Sequence, residues 1–173
     1  MQKIDGIYEK YLSIIFDPAS YINTSRIKLP NGFLDNNVIR REVNNLIIDE
    51  YDLDCSIENL NGVAVMFINN WNLLPVVAYY IGVESINHPS FSKKDVVLDF
   101  IKNMNDTNSE IINNGFNQMI AWGGGIPQGL FERIKLLFNP VLLKENDTAV
   151  ERNILQLNNG IQYARKYFTC VNS

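Results

Sequence analysis

Between Asn59 and Val83 the chain carries no charged side chain. A stretch of that length satisfies the rule of about 20 apolar residues for a membrane-spanning helix, so it either enters a bilayer or is enclosed by the rest of the protein. Its interior argues for enclosure. Asn69, Asn70 and Asn72 fall near its middle, Pro75 follows them, and the flanking Glu58 and Glu84 have no adjacent Lys or Arg to orient an insertion. Two buried helices are expected instead, Val63 to Trp71 and Leu74 to Gly82. Pro75 opens the second near its first helical position and Gly82 closes it.

Enclosing two uncharged helices takes a substantial core, and the remaining sequence can supply one. The chain has 173 residues, 46% of them hydrophobic and 20% charged. A compact domain of this size removes about 70% of its unfolded surface from water. The apolar spacing is helical nearly throughout. Ile4, Ile7, Tyr8, Tyr11, Leu12, Ile15 and Phe16 recur at three and four, with Asp5, Glu9, Lys10 and Ser13 opposite. Those charges also leave no uninterrupted apolar run for a secretory signal. Asp17-Pro18 ends this helix. After a loop over Tyr21 to Phe33, Asp35 is placed to cap a helix with the stripe Val38, Ile39, Val43, Leu46 and Ile47. Ser92 and Asp95 have capping-box spacing, and Ser109 is placed to cap a helix with Ile111, Ile112, Phe116, Met119 and Ile120. Gly123-Gly124-Gly125-Ile126-Pro127 breaks the pattern, and Leu130, Phe131, Ile134, Leu137 and Phe138 resume it as a short helix ended by Asn139-Pro140. Asp147 or Thr148 is placed to cap a last helix with Val150, Ile154, Leu157, Ile161, Ala164 and Phe168 on one face. No run alternates with period two, and no linker or repeat divides the chain. An all-α fold in a single compact domain, residues 1–173, with about seven or eight helices is expected.

Chemistry is sparse. Cys55, Cys170 and His88 are too few for an all-protein zinc cage or a disulfide framework. With no export signal, both thiols are expected in a reducing cytosol. The acidic run Asp49, Glu50, Asp52, Asp54 and Glu58 fails as a calcium loop, because Ile57 and Val63 stand where glycine and glutamate are needed. The triple glycine has no following Gly-Lys-Ser/Thr and no preceding strand, so it is not a phosphate cradle. The net charge is -4 with basic residues scattered singly or in pairs, which gives no nucleic-acid stripe. No catalytic, cofactor-binding or metal residue is assigned. A thiol hydrolase would need Cys55 or Cys170 beside His88, and sequence leaves that proximity open. Trp71, between two uncharged helices, is expected in the core, whereas Trp122 fits core and interface alike.

Three blocks carry a resemblance. Ile14-Ile15-Phe16-Asp17-Pro18-Ala19-Ser20-Tyr21-Ile22 is similar to the I-F-D-P-x-S-Y-I segment of the OrgA/MxiK (SctK) family of type III secretion systems. Trp71-Asn72-Leu73-Leu74-Pro75-Val76-Val77-Ala78-Tyr79-Tyr80-Ile81-Gly82 resembles its W-x-x-L-P-x-V-A-Y-L-L-G block, and Gln162-Tyr163-Ala164-Arg165-Lys166-Tyr167 its Q-Y-A-x-K-Y segment. The last departs at Phe168, where the family carries proline. The resemblance implies a cytoplasmic, non-enzymatic adaptor of the injectisome sorting platform, peripheral to the membrane only through its partners. It would link the forkhead-associated-like domain of the SctD/MxiG-type inner-membrane ring protein to the SctQ-type pod protein, and so to the SctL-type stator and the secretion ATPase. A secretion chaperone or regulator is the alternative, and many of those are mixed α/β dimers.

An adaptor needs two docking faces, each near or below about 1,600 Å² if its contacts exchange. Large apolar side chains in turn-rich segments are the expected places. They are the elbow from Phe16 through Asp17 to Tyr21, and the loop holding Trp122, Leu130 and Phe131.

Overall fold

The structure is a computed structural model that describes residues 2–85, 109–143 and 151–168. Every regular element among them is helical: α1 (Gln2–Phe16), α2 (Asn37–Glu50), α3 (Gly62–Asn69), α4 (Leu74–Ser85), α5 (Ser109–Ile120), α6 (Gln128–Ile134) and α7 (Ile154–Phe168), with short 3-10 turns between several of them. The all-α fold expected from the apolar spacing is thus found. The helix expected after Ser92, together with His88 and Cys170, lies outside the described residues. No single helix among the described residues is long and apolar enough to cross a membrane.

The elements group into two compact units, α1, α2, α3 and α6 in the first and α4, α5 and α7 in the second. In the first, α1 buries Tyr11, Ile14 and Ile15 and leaves Tyr8 and Phe16 nearly half exposed. Its buried face is therefore rotated from the expected stripe. Helix α2 departs further. Asn36, not Asp35, is its cap, accepting from the Val38 and Ile39 amides, because Asp35 is already taken into the 3-10 turn Phe33–Asp35. Val38 and Leu46 lie on its exposed side at 62% and 68% exposure, while Ile47 and the polar Asn44 point inward. Helix α3 is capped by Asn61 and buries Ala64, Phe67 and Ile68. The expected run from Leu130 to Phe138 breaks after Ile134 into a 3-10 turn, yet Leu130, Ile134, Leu136, Leu137 and Phe138 are all buried.

In the second unit α4 is buried from Val76 through Gly82. Gly82 does not end the helix, which continues to Ser85. Its lack of a side chain serves packing: a Cβ there would overlap the backbone carbonyl of Ile111 on α5, and one at Gly115 would overlap that of Ala78. Two backbones thus meet where only glycine fits. Ser109 is the first helical residue of α5, not a cap before it. Helix α7 runs from Ile154, where the Asn153 side chain accepts from the Gln156 amide, and the expected caps Asp147 and Thr148 lie outside the described residues. Leu157, Ile161, Tyr163 and Ala164 form its buried face, Ile154 is partly exposed, and the helix runs through Phe168.

Candidate docking groove

Where α1 ends, Asp17 cannot continue the helix because Pro18 follows, and Pro18–Ser20 form a 3-10 turn. The turn is held by side chains. Arg40 of α2 donates from Nε to Asp17 Oδ1 at 3.0 Å and from Nη2 to Oδ2, and Asn44 Nδ2 donates to Oδ1 at 2.7 Å. The Asn44 amide oxygen in turn accepts from the buried Ala19 N–H at 2.8 Å. This bidentate pairing explains the Asp and the polar Asn44 inside an otherwise apolar face. Burial pushes the Asp17 carboxyl up, but the hydrogen bonds from Arg40 and Asn44 and the charge of Arg40 outweigh it and hold it below the ordinary carboxylate range.

The rest of the elbow is tied to the protein by hydrogen bonds and ring packing. Ser20 Oγ donates to the Asp17 carbonyl, and Tyr21 Oη donates to the Ile14 carbonyl at 2.7 Å, satisfying an acceptor at the end of α1. Burial raises the Tyr21 pKa well above that of a free phenol, so it stays a donor. Its ring meets Trp71 edge-on with centroids 5.4 Å apart, and Trp71 is only 6% exposed, as expected for a core residue. Arg133 closes the arrangement from α6. It is wholly buried, and its guanidinium donates to the carbonyls of Ile15, Asp54 and Gly129 and reaches Cys55 Sγ at 3.4 Å. The end of a helix, where carbonyls are left over, suits a cation.

Of the elbow residues, Phe16 alone keeps a large apolar surface free. It is 48% exposed and forms one wall of a groove of about 360 Å³. Asp17, Arg40, Arg41 and Asn44 line the groove with it, and Ile48 contributes an aliphatic side. The second expected docking segment is not gathered into this groove. Leu130 has no exposed surface and belongs to the packing of the first unit. Phe131 is partly exposed with the Lys135 ammonium 6.0 Å from its ring centre. Trp122, in the second unit, is partly exposed beneath the Arg152 guanidinium, which also donates to the Ala121 carbonyl.

Sequence reading did not pick out Arg40, Asn44 or Arg133. A signal existed for two of them: Asn44 sits between Val43 and Ile47, and Arg133 among Leu130, Ile134 and Leu137, each a polar residue on an apolar helical face. No group of three or more potential metal ligands occurs among the described residues.

The other two blocks also have structural explanations. Trp71 and Leu74 are core, Gly82 permits the α4–α5 crossing, where the Ala78 carbonyl faces Gly115, and Tyr163 stacks on Tyr80 at 4.5 Å. Helical chains that share these blocks form a class of bacterial secretion-apparatus proteins. This chain belongs to that class: its residues 11–166 match the OrgA_MxiK family, described as a bacterial type III secretion apparatus protein. It is 52% identical over 172 residues to Protein MxiK of Shigella flexneri, covering 98% of this chain and 96% of the relative, with the same figures for the Shigella sonnei protein. It is 28% identical to the oxygen-regulated invasion protein OrgA of Salmonella typhimurium, covering 89% of this chain and 86% of the relative. No solved structure matches the chain significantly.

Proposed function

We propose that the chain is a non-enzymatic adaptor of the sorting platform at the cytoplasmic face of the injectisome base. It joins the forkhead-associated-like domain of the SctD/MxiG-type ring protein to the SctQ-type pod protein and, through the latter, to the SctL-type stator and the ATPase. Family membership supports a role in the apparatus. One observation carries the docking role: Phe16 stays half exposed on a groove while its motif neighbours are consumed in holding the elbow. A large aromatic left at the edge of a rigid, hydrogen-bonded turn costs little to order on binding and is the type of side chain that dominates interfaces. Phe131 in the first unit and Trp122 in the second, each partly exposed, are proposed as further contacts, each on its own unit.

The test is binding of the purified full chain to the SctD-type cytoplasmic domain and to the SctQ-type protein. Phe16→Ala is expected to weaken capture of one of them by about tenfold or more, the loss typical of an interface anchor, with an unchanged helical melt. Trp122→Ala and Phe131→Ala are expected to weaken capture of the other. A parallel loss of melt and capture would assign these residues to packing, and unchanged capture by all three variants would remove all three side chains from the interface.

A further inference from the structure

The groove beside Phe16 differs in charge from the chain that carries it. Its lining holds two guanidinium groups, Arg40 and Arg41, against the single carboxylate of Asp17, in a protein whose net charge is -4. The acceptors of Asp17 and Asn44 are already engaged: both Asp17 oxygens take hydrogen bonds from Arg40 or Asn44, and the Asn44 oxygen takes one from Ala19, while the neutral Asn37 and Asn45 complete the lining. Donors remain. Arg41 is 72% exposed in its side chain and approaches Glu42 only at 3.5 Å, a surface pair of small energetic value. Arg40 uses Nε and Nη2 on Asp17 and is still 40% exposed. Phe16 and Ile48 supply apolar walls to the same groove.

The geometry points to one kind of occupant: an acidic segment of a partner protein that sets a carboxylate on Arg41 and one large apolar side chain against Phe16 and Ile48. The guanidinium favours a carboxylate by its planar pair of donors, and the apolar walls favour a peptide over a free anion. This inference rests on the docking role proposed above. A second copy of the chain, which has its own acidic run from Asp49 to Asp54, is the competing occupant.

Fluorescein-labelled peptides tiling the two partner proteins named above are titrated into the full-length chain at low and high salt, beside the intact partners. The peptides that bind are expected to be acidic with one large apolar residue, and to bind more weakly at high salt. Arg41→Glu is expected to weaken both peptide and partner by about tenfold, with an unchanged melt because Arg41 is exposed. Replacing the matching partner carboxylate by Lys is expected to restore binding to the Arg41→Glu chain. Neutral or basic binding peptides, or an intact partner held equally by the parent and by Arg41→Glu, would overturn the inference and leave the adaptor role standing. Self-association of the parent chain that Arg41→Glu abolishes would give the groove to a second copy and overturn it as well. If neither partner binds the parent chain, it is the adaptor role itself that fails.

Discussion

Asp17 turns the chain out of α1 and ties the turn to α2, so its ionisation is linked to the stability of the first unit. Its carboxyl has a lower pKa folded than unfolded. The stabilisation is therefore complete above the unfolded value of about 3.9 and is lost as pH falls through the folded one. Asp17→Asn is expected to lower stability near neutral pH by about 1–2 kcal/mol, a figure kept low because Arg40 is partly exposed and the pair is screened. The gap between parent and variant should narrow as denaturant melts are repeated at pH values falling below the unfolded value, as the parent carboxyl takes up its proton; a gap constant with pH would mean that the ionised form contributes nothing. Arg133 is the opposite case, a buried cation satisfied by carbonyls. Neither role follows from residue type alone, since Asp17 lies 23 positions from Arg40 and Arg133 lies 118 from Ile15.

At the level of elements, helix existence follows from the 3.6-residue period, while faces and ends depend on neighbours. The apolar pattern of α2 includes Val38 and Leu46, yet both are exposed, because Asn44 turns inward to serve Asp17 and Ala19. Gly82 reads as a stop signal in isolation. In place it is a spacer, and its counterpart is Gly115 on α5. Gly115→Ala is expected to cost about 1–3 kcal/mol or more, because its methyl would meet backbone that cannot rotate away. Gly6→Ala, whose Cβ has nothing within 4 Å, is expected to gain about 0.5–1 kcal/mol from helix propensity alone. Thermal melts of the two variants check the contrast, and equal effects would remove the close crossing as the reason for Gly115.

For the molecule as a whole, we propose that residues 1–173 unfold as one cooperative domain. The two tryptophans offer a direct check, because Trp71 belongs to the first unit and Trp122 to the second. In Trp122→Phe the fluorescence reports on Trp71 alone, and its transition is expected to coincide with loss of far-ultraviolet helical signal from the whole chain. Separated midpoints would make the two units independent domains. The sequence by itself determined that the chain is helical, that the uncharged stretch forms two helices of which the second is enclosed nearly throughout, and that its motif blocks belong to this secretion family. Those properties rest on local periodicity, on the cost of unmatched polarity and on residue order, all written along one dimension. Only the tertiary structure decided that Phe16 stays exposed while Tyr21 and Leu130 turn in, that Arg40 and Asn44 hold the elbow, and that glycines set the helix crossing. The physical reason is that burial and hydrogen bonding depend on side chains brought together from distant positions, and helical spacing does not encode which faces will meet.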